Sequence, residues 1–168
     1  NYLRDLLGIN REDKILLYQG VLHKNRGISN IINIIKSLNS CVGVIIGGGS
    51  EKKRLVSLVQ KLKIEDKIFF IDKIPYQDLL KLTQSADVGC ALVKPVSLNN
   101  HFALPNKLFE YAAAGIPCVG SNIPNMKYFI EKYGLGVVVN PFDIKKQVLS
   151  CKKIFSENYD ANKLKVVS

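Results

Sequence analysis

Apolar runs alternate with amphipathic segments along the chain, and this alternation constrains the fold more than any other feature of the sequence. The runs are rich in Ile, Val and Leu, and two of them end in glycine, as in "DKILLYQG" and "CVGVIIGGG". Continuous apolar runs of this kind are typical of strands buried on both faces of a parallel sheet. They predict strands at 13–20, 41–49, 67–72, 87–93, 116–121 and 134–139.

The segments between these runs have helical periodicity. In 27–39 the isoleucines recur at intervals of three and four residues, which predicts a helix with one apolar face. Ser50 is predicted to cap the helix that follows it, and Pro75 and Pro105 each fit the first turn of a helix. The predicted helices are 27–39, 51–64, 75–86, one that begins near Pro105, 123–133 and 142–156, with a long loop at 94–106. The sequence therefore predicts an α/β fold, a Rossmann-like doubly wound parallel sheet in a single domain over 1–168.

Length and composition are consistent with this prediction. The chain has 168 residues and is 47% hydrophobic, enough for one domain with a real core. It contains no apolar run of membrane-spanning length and no signal peptide. The chain begins at Asn1 in the middle of a pattern, so we expect it to be a piece of a longer protein. The four cysteines are far apart in sequence and are interpreted as buried, reduced thiols in a cytoplasmic setting.

The net charge of +10 raises the question of an anionic partner. Its lysines are distributed along predicted helix faces, so we favour a solvated basic surface over a nucleic-acid site. A nucleotide phosphate is the smallest anion that such a surface could serve.

Ligands of doubly wound sheets bind at the carboxyl ends of the strands, which makes the loop "YQGVLHKNRGI" a candidate site. Gly20 lets the backbone approach a ligand. Arg26 and Gly27 stand at the start of the predicted helix, where free N–H groups and the helix dipole favour an anion. The alternative is that both glycines serve the turn and Arg26 is a surface charge. A ligand contact by His23, or by His101 in the long loop, stays open. The second loop, "IIGGGSEKK", lacks the spacing of a dinucleotide fingerprint and is interpreted chiefly as a turn.

The stretch "ALPNKLFEYAAAGIPCV" (103–119) carries one acid in an alanine-rich helix. Pro105 should leave the N–H groups of 106–109 unpaired at the helix start, and Lys107 adds a positive charge there. Glu110 could simply complement the helix dipole. The alternative is that its carboxylate accepts hydrogen bonds from two ribose hydroxyls while the helix start holds the attached phosphates.

Taken in order, these segments resemble the C-terminal, donor-binding domain of retaining glycosyltransferases with the GT-B fold, in the large group often called family 4. "ILLYQGVLHKNRGISNIINII" is similar to the family's first strand, basic glycine loop and first helix. "KLFEYAAAGIPCVGSNIPNMKYFIEKYGLGVVVNP" is similar to its most diagnostic segment. The resemblance implies that Glu110 is the second glutamate of a Glu-x7-Glu motif and binds the donor ribose. It implies that Arg26 meets the donor diphosphate, that Gly20 lies where the loop passes the phosphates, and that the backbone at Ile74 meets the nucleobase.

The sequence departs from the family pattern at two positions. Phe102 stands where the first glutamate of the motif would contact the donor sugar, and Val21 stands where an arginine is usual. "PNKLFEY" is similar to a sub-branch with the pattern P-x-K-x-x-E-Y, which also lacks the first glutamate. The donor-binding residues expected from the residues and the resemblance together are Gly20, Arg26, Gly27, Ile74, Asn106, Lys107, Leu108 and Glu110. No catalytic residue and no metal ligand is assigned.

The resemblance implies transfer of a hexose-type sugar from a nucleotide-sugar with retention, in the synthesis of a cell-surface polysaccharide or glycolipid. It implies no metal or other cofactor, and no nucleic-acid partner. The acceptor would be held by an N-terminal domain of the same enzyme, so we expect the isolated chain to be inactive. The expected location is cytoplasmic, with peripheral association of the full-length enzyme with the inner face of the membrane left open. The alternatives are a GT-B nucleotide-sugar epimerase or phosphorylase, and a non-catalytic Rossmann-like binding module. The basic first loop disfavours a module of the flavodoxin or response-regulator type, which would place paired aspartates there.

Overall fold

Six parallel strands form one sheet in the computed structural model of the protein, which describes residues 2–156. The strands are β1 Lys14–Gln19, β2 Cys41–Ile46, β3 Ile68–Ile71, β4 Val88–Ala91, β5 Cys118–Ser121 and β6 Gly136–Val139. Their order across the sheet is β3-β2-β1-β4-β5-β6, and every neighbouring pair is parallel. The predicted Rossmann-like, doubly wound α/β fold is confirmed.

Eight helices accompany these strands within the described residues. They are α1 Tyr2–Leu7, α2 Ile28–Lys36, α3 Lys52–Leu62, α4 Tyr76–Thr83, α5 Leu98–His101, α6 Lys107–Ala114, α7 Pro124–Tyr133 and α8 Ile144–Ser156. Two of them were not predicted. The short helix α1 precedes the first strand. The predicted long loop at 94–106 contains α5, which Ser97 caps by accepting a hydrogen bond from the N–H of Asn100 at 3.2 Å. Neither helix is long enough to show a periodic pattern in the sequence.

The strands are apolar throughout because both faces of the sheet are covered. In β1, Ile15 and Leu17 point to the face that α1, α4, α6 and α7 cover, while Leu16 and Tyr18 point to the face that α2, α3 and α8 cover. All four side chains are at most 1% exposed. The continuous apolar runs therefore follow from the alternation of side chains along a strand that is buried on both sides.

The start of α3 differs from the prediction. Its N-cap is Glu51, and no side chain caps it. Instead the N–H of Glu51 donates to the carbonyl of Leu22 at 3.1 Å, so the loop after β1 supplies the acceptor that Ser50 was predicted to supply. A backbone carbonyl brought in from a distant loop cannot be anticipated from the local sequence.

The described cysteines agree with the interpretation of buried thiols. Cys41, Cys90, Cys118 and Cys151 are all free and buried. Burial raises the pKa of the Cys118 and Cys151 thiols to about 12, so both stay protonated at neutral pH. Within residues 2–156, no helix combines the length and the apolar character needed to cross a membrane.

The position of β1 in the middle of the sheet determines where a ligand can bind. From β1 the chain proceeds through β2 and β3 to one edge of the sheet, and then through β4, β5 and β6 to the other. The loops after β1 and β4 thus diverge to opposite sides, and a crevice opens between them at the carboxyl ends of the strands.

Candidate functional site

The carboxylate of Glu110 lies at this crevice, where it meets the end of β1. Its Oε2 accepts a hydrogen bond of 2.5 Å from Nε2 of Gln19, the last residue of β1. Gln19 Oε1 in turn lies 2.8 Å from the hydroxyl of Thr83 at the end of α4. Gln19 is 2% exposed and Thr83 is fully buried, whereas Glu110 is half-buried at the surface of the crevice. Gln19 thus holds the carboxylate from its buried side, and the exposed part of Glu110 is available to a ligand.

Helix α6 carries Glu110 one turn in, but the helix starts later than predicted. It begins at Lys107 with Asn106 as its N-cap, so Pro105 precedes the helix and does not belong to its first turn. The predicted free N–H groups are also partly wrong. The N–H of Leu108 donates to the carbonyl of Pro105 at 3.0 Å, and that of Phe109 donates to Asn106 at 2.9 Å. A tight turn before the helix therefore satisfies two of the donors that were expected to await an anion.

Contacts on the buried side of α6 hold it against the sheet. The Tyr111 hydroxyl lies 3.1 Å from the carbonyl of Cys90 in β4 and 3.3 Å from that of Leu17 in β1. A methyl group at Gly89 would lie 2.5 Å from the Tyr111 ring, so glycine is needed there for the helix to come this close. The side chain of Leu108 is fully buried in the core, and its backbone N–H already donates to the carbonyl of Pro105, so the structure gives Leu108 a packing role beneath the predicted site.

Lys107 is a strongly perturbed titratable group of the crevice. Its Nζ lies 3.5 Å from the centroid of the Tyr18 ring, and a methyl group on Gly20 would lie 3.4 Å from the same nitrogen. Burial, followed by the charge of Arg26, lowers the pKa of Lys107 to about 7, although Glu110 acts in the opposite direction. An ammonium group that has lost this much solvation binds an incoming anion more strongly than an exposed one does.

The loop after β1 contributes Gly20, Arg26 and Gly27. Gly20 has φ +124° and lies against the end of the Lys107 side chain. The positive charge of Arg26 lowers the pKa of Lys107 and also acts to lower that of Tyr18. Gly27 is the N-cap of α2 and packs against Leu92. The turn hypothesis thus accounts for Gly27, while Gly20 lies beside Lys107.

An apolar cleft of about 430 Å³ lies beside these groups, at the ends of β1 and β2. Its lining includes Gly20, Val21, Gly47, Ile74 and Tyr76. Ile74, which the family resemblance implies is at the nucleobase, is therefore part of the wall of a cleft next to Gly20. Val21, which replaces the usual arginine, is 66% exposed and adds an apolar surface to this cleft instead of a charge.

Phe102 and His101 lie apart from this cluster. Phe102 follows the last residue of α5 and is 55% exposed, and its ring stacks edge-on against His101 with centroids 4.8 Å apart. Neither side chain lines the apolar cleft. His23, on the loop after β1, is exposed.

Sequence reasoning missed Gln19, Thr83 and Tyr18, all of which support the crevice from within. The one local signal was Gln19 itself, a polar residue that closes an otherwise apolar buried strand. Thr83 in an amphipathic helix and Tyr18 in a strand gave no such signal, because both residue types are common in cores and at helix ends.

The crevice brings together the cationic side chain of Lys107, on which the charge of Arg26 acts, a fixed carboxylate and an apolar cleft. Cations bind phosphates, a carboxylate accepts hydrogen bonds from hydroxyls, and an apolar cleft with exposed backbone suits a flat heterocycle. Within residues 2–156, no three His, Cys, Asp or Glu side chains are grouped as metal ligands would be. The geometry therefore suits a ligand that carries a base, a sugar and phosphates.

The chain resembles known proteins over most of its length. It is 25% identical over 132 residues to N-acetyl-alpha-D-glucosaminyl L-malate synthase of Bacillus anthracis, covering 77% of this chain and 32% of that protein. It is 28% identical over 124 residues to the O-antigen biosynthesis glycosyltransferase WclY of Escherichia coli, covering 74% and 31%. The chain thus spans about a third of the length of these two relatives.

A solved structure with the same fold is that of Anabaena HepE in complex with UDP-glucose. The TM-score is 0.79 at 16% identity, over 99% of this chain and 44% of HepE. The fold corresponds to one Rossmann-like half of a GT-B glycosyltransferase. The sequence also matches the family described as Glycosyl transferases group 1 over residues 3–166. A match over nearly the whole chain means that this protein belongs to the glycosyl transferases group 1 family.

Proposed function

We propose that this chain is the donor-binding domain of a glycosyltransferase and that its crevice binds a nucleotide-sugar. One observation carries the proposal: a carboxylate fixed by Gln19 lies at the crevice between the loops after β1 and β4, on the same helix as Lys107, whose pKa responds to the charges of both Arg26 and Glu110. These are the groups that a ribose and a diphosphate require at adjacent positions.

Each part of the crevice receives one part of the donor. The free side of the Glu110 carboxylate accepts hydrogen bonds from the ribose hydroxyls. Lys107 and Arg26 bind the diphosphate, and the backbone of Gly20 lets it approach. The cleft that Ile74 lines takes the nucleobase. Asn106 at the N-cap of α6 contributes its backbone N–H, together with that of Lys107, to the binding of the phosphates.

Catalysis by this domain is electrostatic. As the bond between the sugar and the diphosphate breaks, negative charge develops on the leaving group, where Lys107 and Arg26 stabilise it. Because two cationic side chains serve the diphosphate, the transfer needs no metal or other cofactor in this proposal. A hexose is transferred with retention, as the resemblance in the sequence implies.

The same proposal includes a second domain, a nucleotide and a cellular role for the whole enzyme. A second, N-terminal domain of the same enzyme holds the acceptor. HepE supports UDP as the nucleotide, because its structure contains UDP-glucose. WclY is named for O-antigen biosynthesis, which supports a role in making a cell-surface polysaccharide or glycolipid on the cytoplasmic side of the membrane.

Calorimetric titration of the chain with UDP, GDP and ADP tests the site. We expect at least one of them to bind, with UDP favoured. Glu110→Gln should weaken binding about three- to tenfold, since a neutral amide accepts hydrogen bonds with about half the strength of a carboxylate. Arg26→Ala should weaken it about tenfold through the loss of a charged hydrogen bond.

Arg11→Ala is the matched control for Arg26→Ala, because Arg11 is an exposed arginine in the turn before β1, at the amino ends of the strands and away from the crevice. It should bind nucleotide as the unsubstituted chain does. If no nucleoside diphosphate binds, or if binding is indifferent to both Glu110→Gln and Arg26→Ala, the proposed function is wrong.

We also expect the 168-residue chain to transfer no sugar by itself. The described part of the chain provides groups for the donor, and the acceptor is assigned to another domain. The measurement is product formation from UDP-glucose, with separate detection of UDP release by hydrolysis. Transfer to any saccharide or lipid acceptor by this chain alone would show that the acceptor site lies within it.

A further inference from the structure

We infer that Gln19 is a positioning residue for the donor ribose: it orients the Glu110 carboxylate before any ligand binds. This inference rests on the proposed function, because it assigns a role to a group beneath the ribose contact. Gln19 and Glu110 are 91 positions apart in sequence and are joined by a hydrogen bond of 2.5 Å.

The chemistry of the contact gives the Gln19 amide one favoured orientation. A carboxylate only accepts hydrogen bonds, so the NH₂ end of the amide must face Glu110. The opposite end, Oε1, then faces the hydroxyl of Thr83 at 2.8 Å, and a hydroxyl can donate to it. If the amide were reversed, its oxygen would stand against the carboxylate, with two acceptors and no proton between them. Thr83 shares its single proton with the carbonyl of Leu79 at 2.7 Å, so it supports Gln19 more weakly than Gln19 supports Glu110.

Burial makes this arrangement rigid. Gln19 is 2% exposed and Thr83 is fully buried, so neither can exchange its partner for water. The two buried side chains belong to different elements. Gln19 is in the central strand β1, and Thr83 is in α4, which packs on one face of the sheet. A hydrogen bond to an ionised acceptor in such surroundings is stronger than a neutral one at the surface.

The remaining acceptor sites of Glu110 stay available to a ligand. A carboxylate has about four lone-pair directions, and Gln19 takes one of them at Oε2. Within residues 2–156, Glu110 accepts no other hydrogen bond. A free glutamate would lose rotamer entropy on binding a ribose, whereas one already held by Gln19 has lost it on folding. The gain appears only with ligands that have ribose hydroxyls.

The test compares binding of a nucleoside diphosphate with binding of its 2′,3′-dideoxy analogue, which lacks both hydroxyls. UDP and 2′,3′-dideoxy-UDP serve as the probes unless GDP or ADP binds more tightly. The ratio of the two affinities measures the hydroxyl contact alone. Gln19→Leu should lower this ratio about three- to tenfold, because the affinity for the ligand with both hydroxyls falls more than the affinity for the dideoxy analogue. A variant that merely disturbed the fold would weaken both ligands together.

Gln147→Leu is the matched control. Gln147 is also a fully buried glutamine, bonded to the carbonyl of Asn140 at 2.8 Å, but it lies on α8 against the other face of the sheet. Its removal should leave the ratio unchanged. Thr83→Val, which keeps the shape of the side chain and removes the hydroxyl, provides a second variant if Gln19→Leu does not fold. It should lower the ratio by a smaller factor.

The outcomes separate this inference from the proposed function. A ratio that falls in Glu110→Gln but keeps its original value in Gln19→Leu and Thr83→Val would overturn the positioning role alone. A ratio that does not respond to Glu110→Gln, or a chain that binds no diphosphate, would overturn the ribose assignment and this inference with it. A ratio that falls in Glu110→Gln and Gln19→Leu, with little further loss in the double variant, supports both.

Discussion

Lys107→Met is expected to lower the affinity of the chain for a nucleoside diphosphate by about a hundredfold at pH 7. The ammonium group lies over the Tyr18 ring with Gly20 beside it, so it meets an anion in surroundings where water screens the charge poorly. A charged hydrogen bond of this kind contributes about 1.5–3 kcal/mol. Methionine fills the space of the lysine stem without the charge, so the comparison isolates the charge.

The same residue makes binding depend on pH in a defined direction. Burial, together with the charge of Arg26, lowers the pKa of Lys107 to about 7 in the free protein. A bound diphosphate favours the ammonium form and raises that pKa. Above pH 7 the chain must therefore take up a proton in order to bind, and the affinity should fall by up to tenfold per pH unit. Calorimetry in buffers of different ionisation enthalpy at pH 8 should show this uptake directly.

Without ligand, the same pKa predicts the opposite trend for stability. Since the folded-state pKa of about 7 lies below the ordinary value of 10.5, the unfolded chain binds more protons between these two values. The contribution of Lys107 to the free energy of unfolding therefore rises as the pH increases from about 7 to about 10.5, and is lost as the pH falls through 7. Lys107→Met should remove this contribution. Denaturant titrations at several pH values measure it.

Lys36→Met is the control for both measurements, because Lys36 is an exposed lysine at the end of α2, toward the amino ends of the strands and away from the crevice. It removes the same charge from the chain and should change neither affinity nor pH dependence. If Lys107→Met binds nucleotide as tightly as Lys36→Met, the diphosphate does not lie at Lys107.

Gly27→Ala is expected to reduce the free energy of unfolding by about 3 to 5 kcal/mol, the largest stability effect that we predict for a single methyl group in this chain. Gly27 has φ +76°, in the left-handed region that disfavours a side chain. An added Cβ would also lie 2.0 Å from the carbonyl oxygen of Leu92 and 2.5 Å from its Cβ. Because the obstacle is backbone at the end of β4, it cannot move aside without displacing the strand.

Gly115→Ala separates the two causes. Gly115 has nearly the same φ, +71°, but nothing lies within 4 Å of an added Cβ. Its substitution should show the conformational penalty alone, about 1–2 kcal/mol. Urea denaturation of both variants gives the difference. Equal losses in the two variants would mean that the contact between Gly27 and Leu92 contributes nothing.

The sequence left two roles open for Gly27. A glycine beside Arg26 at a helix start is compatible with phosphate binding and with a tight turn. The structure adds the contact with Leu92, which explains the glycine by packing and needs no ligand. The sequence could not anticipate this, because Leu92 follows β4, at a position 65 residues further along the chain.

The predicted hydrogen bonding at the starts of α3 and α6 was wrong because it also depends on residues that are distant in sequence or on the local path of the backbone. Ser50 was predicted to cap α3, and the N–H groups after Pro105 were predicted to be free. In the structure, the carbonyl of Leu22 serves Glu51, and the carbonyl of Pro105 serves Leu108. Local sequence shows which donors a helix start leaves unsatisfied. Which acceptor satisfies them depends on the path of the surrounding backbone.

By itself the sequence determined the doubly wound fold, its six strands and the presence of a helix that carries Glu110. Apolar periodicity determines which residues can be buried, and burial drives the formation of these elements. Only the tertiary structure decided which side chains meet at the carboxyl ends of the strands. It brought Gln19 beneath Glu110 and Lys107 over Tyr18, contacts across 91 and 89 positions of the chain. Hydrogen bonds and ring contacts of this kind depend on distances of a few ångström between separate elements, and the parallel order of β1 and β4 sets those distances.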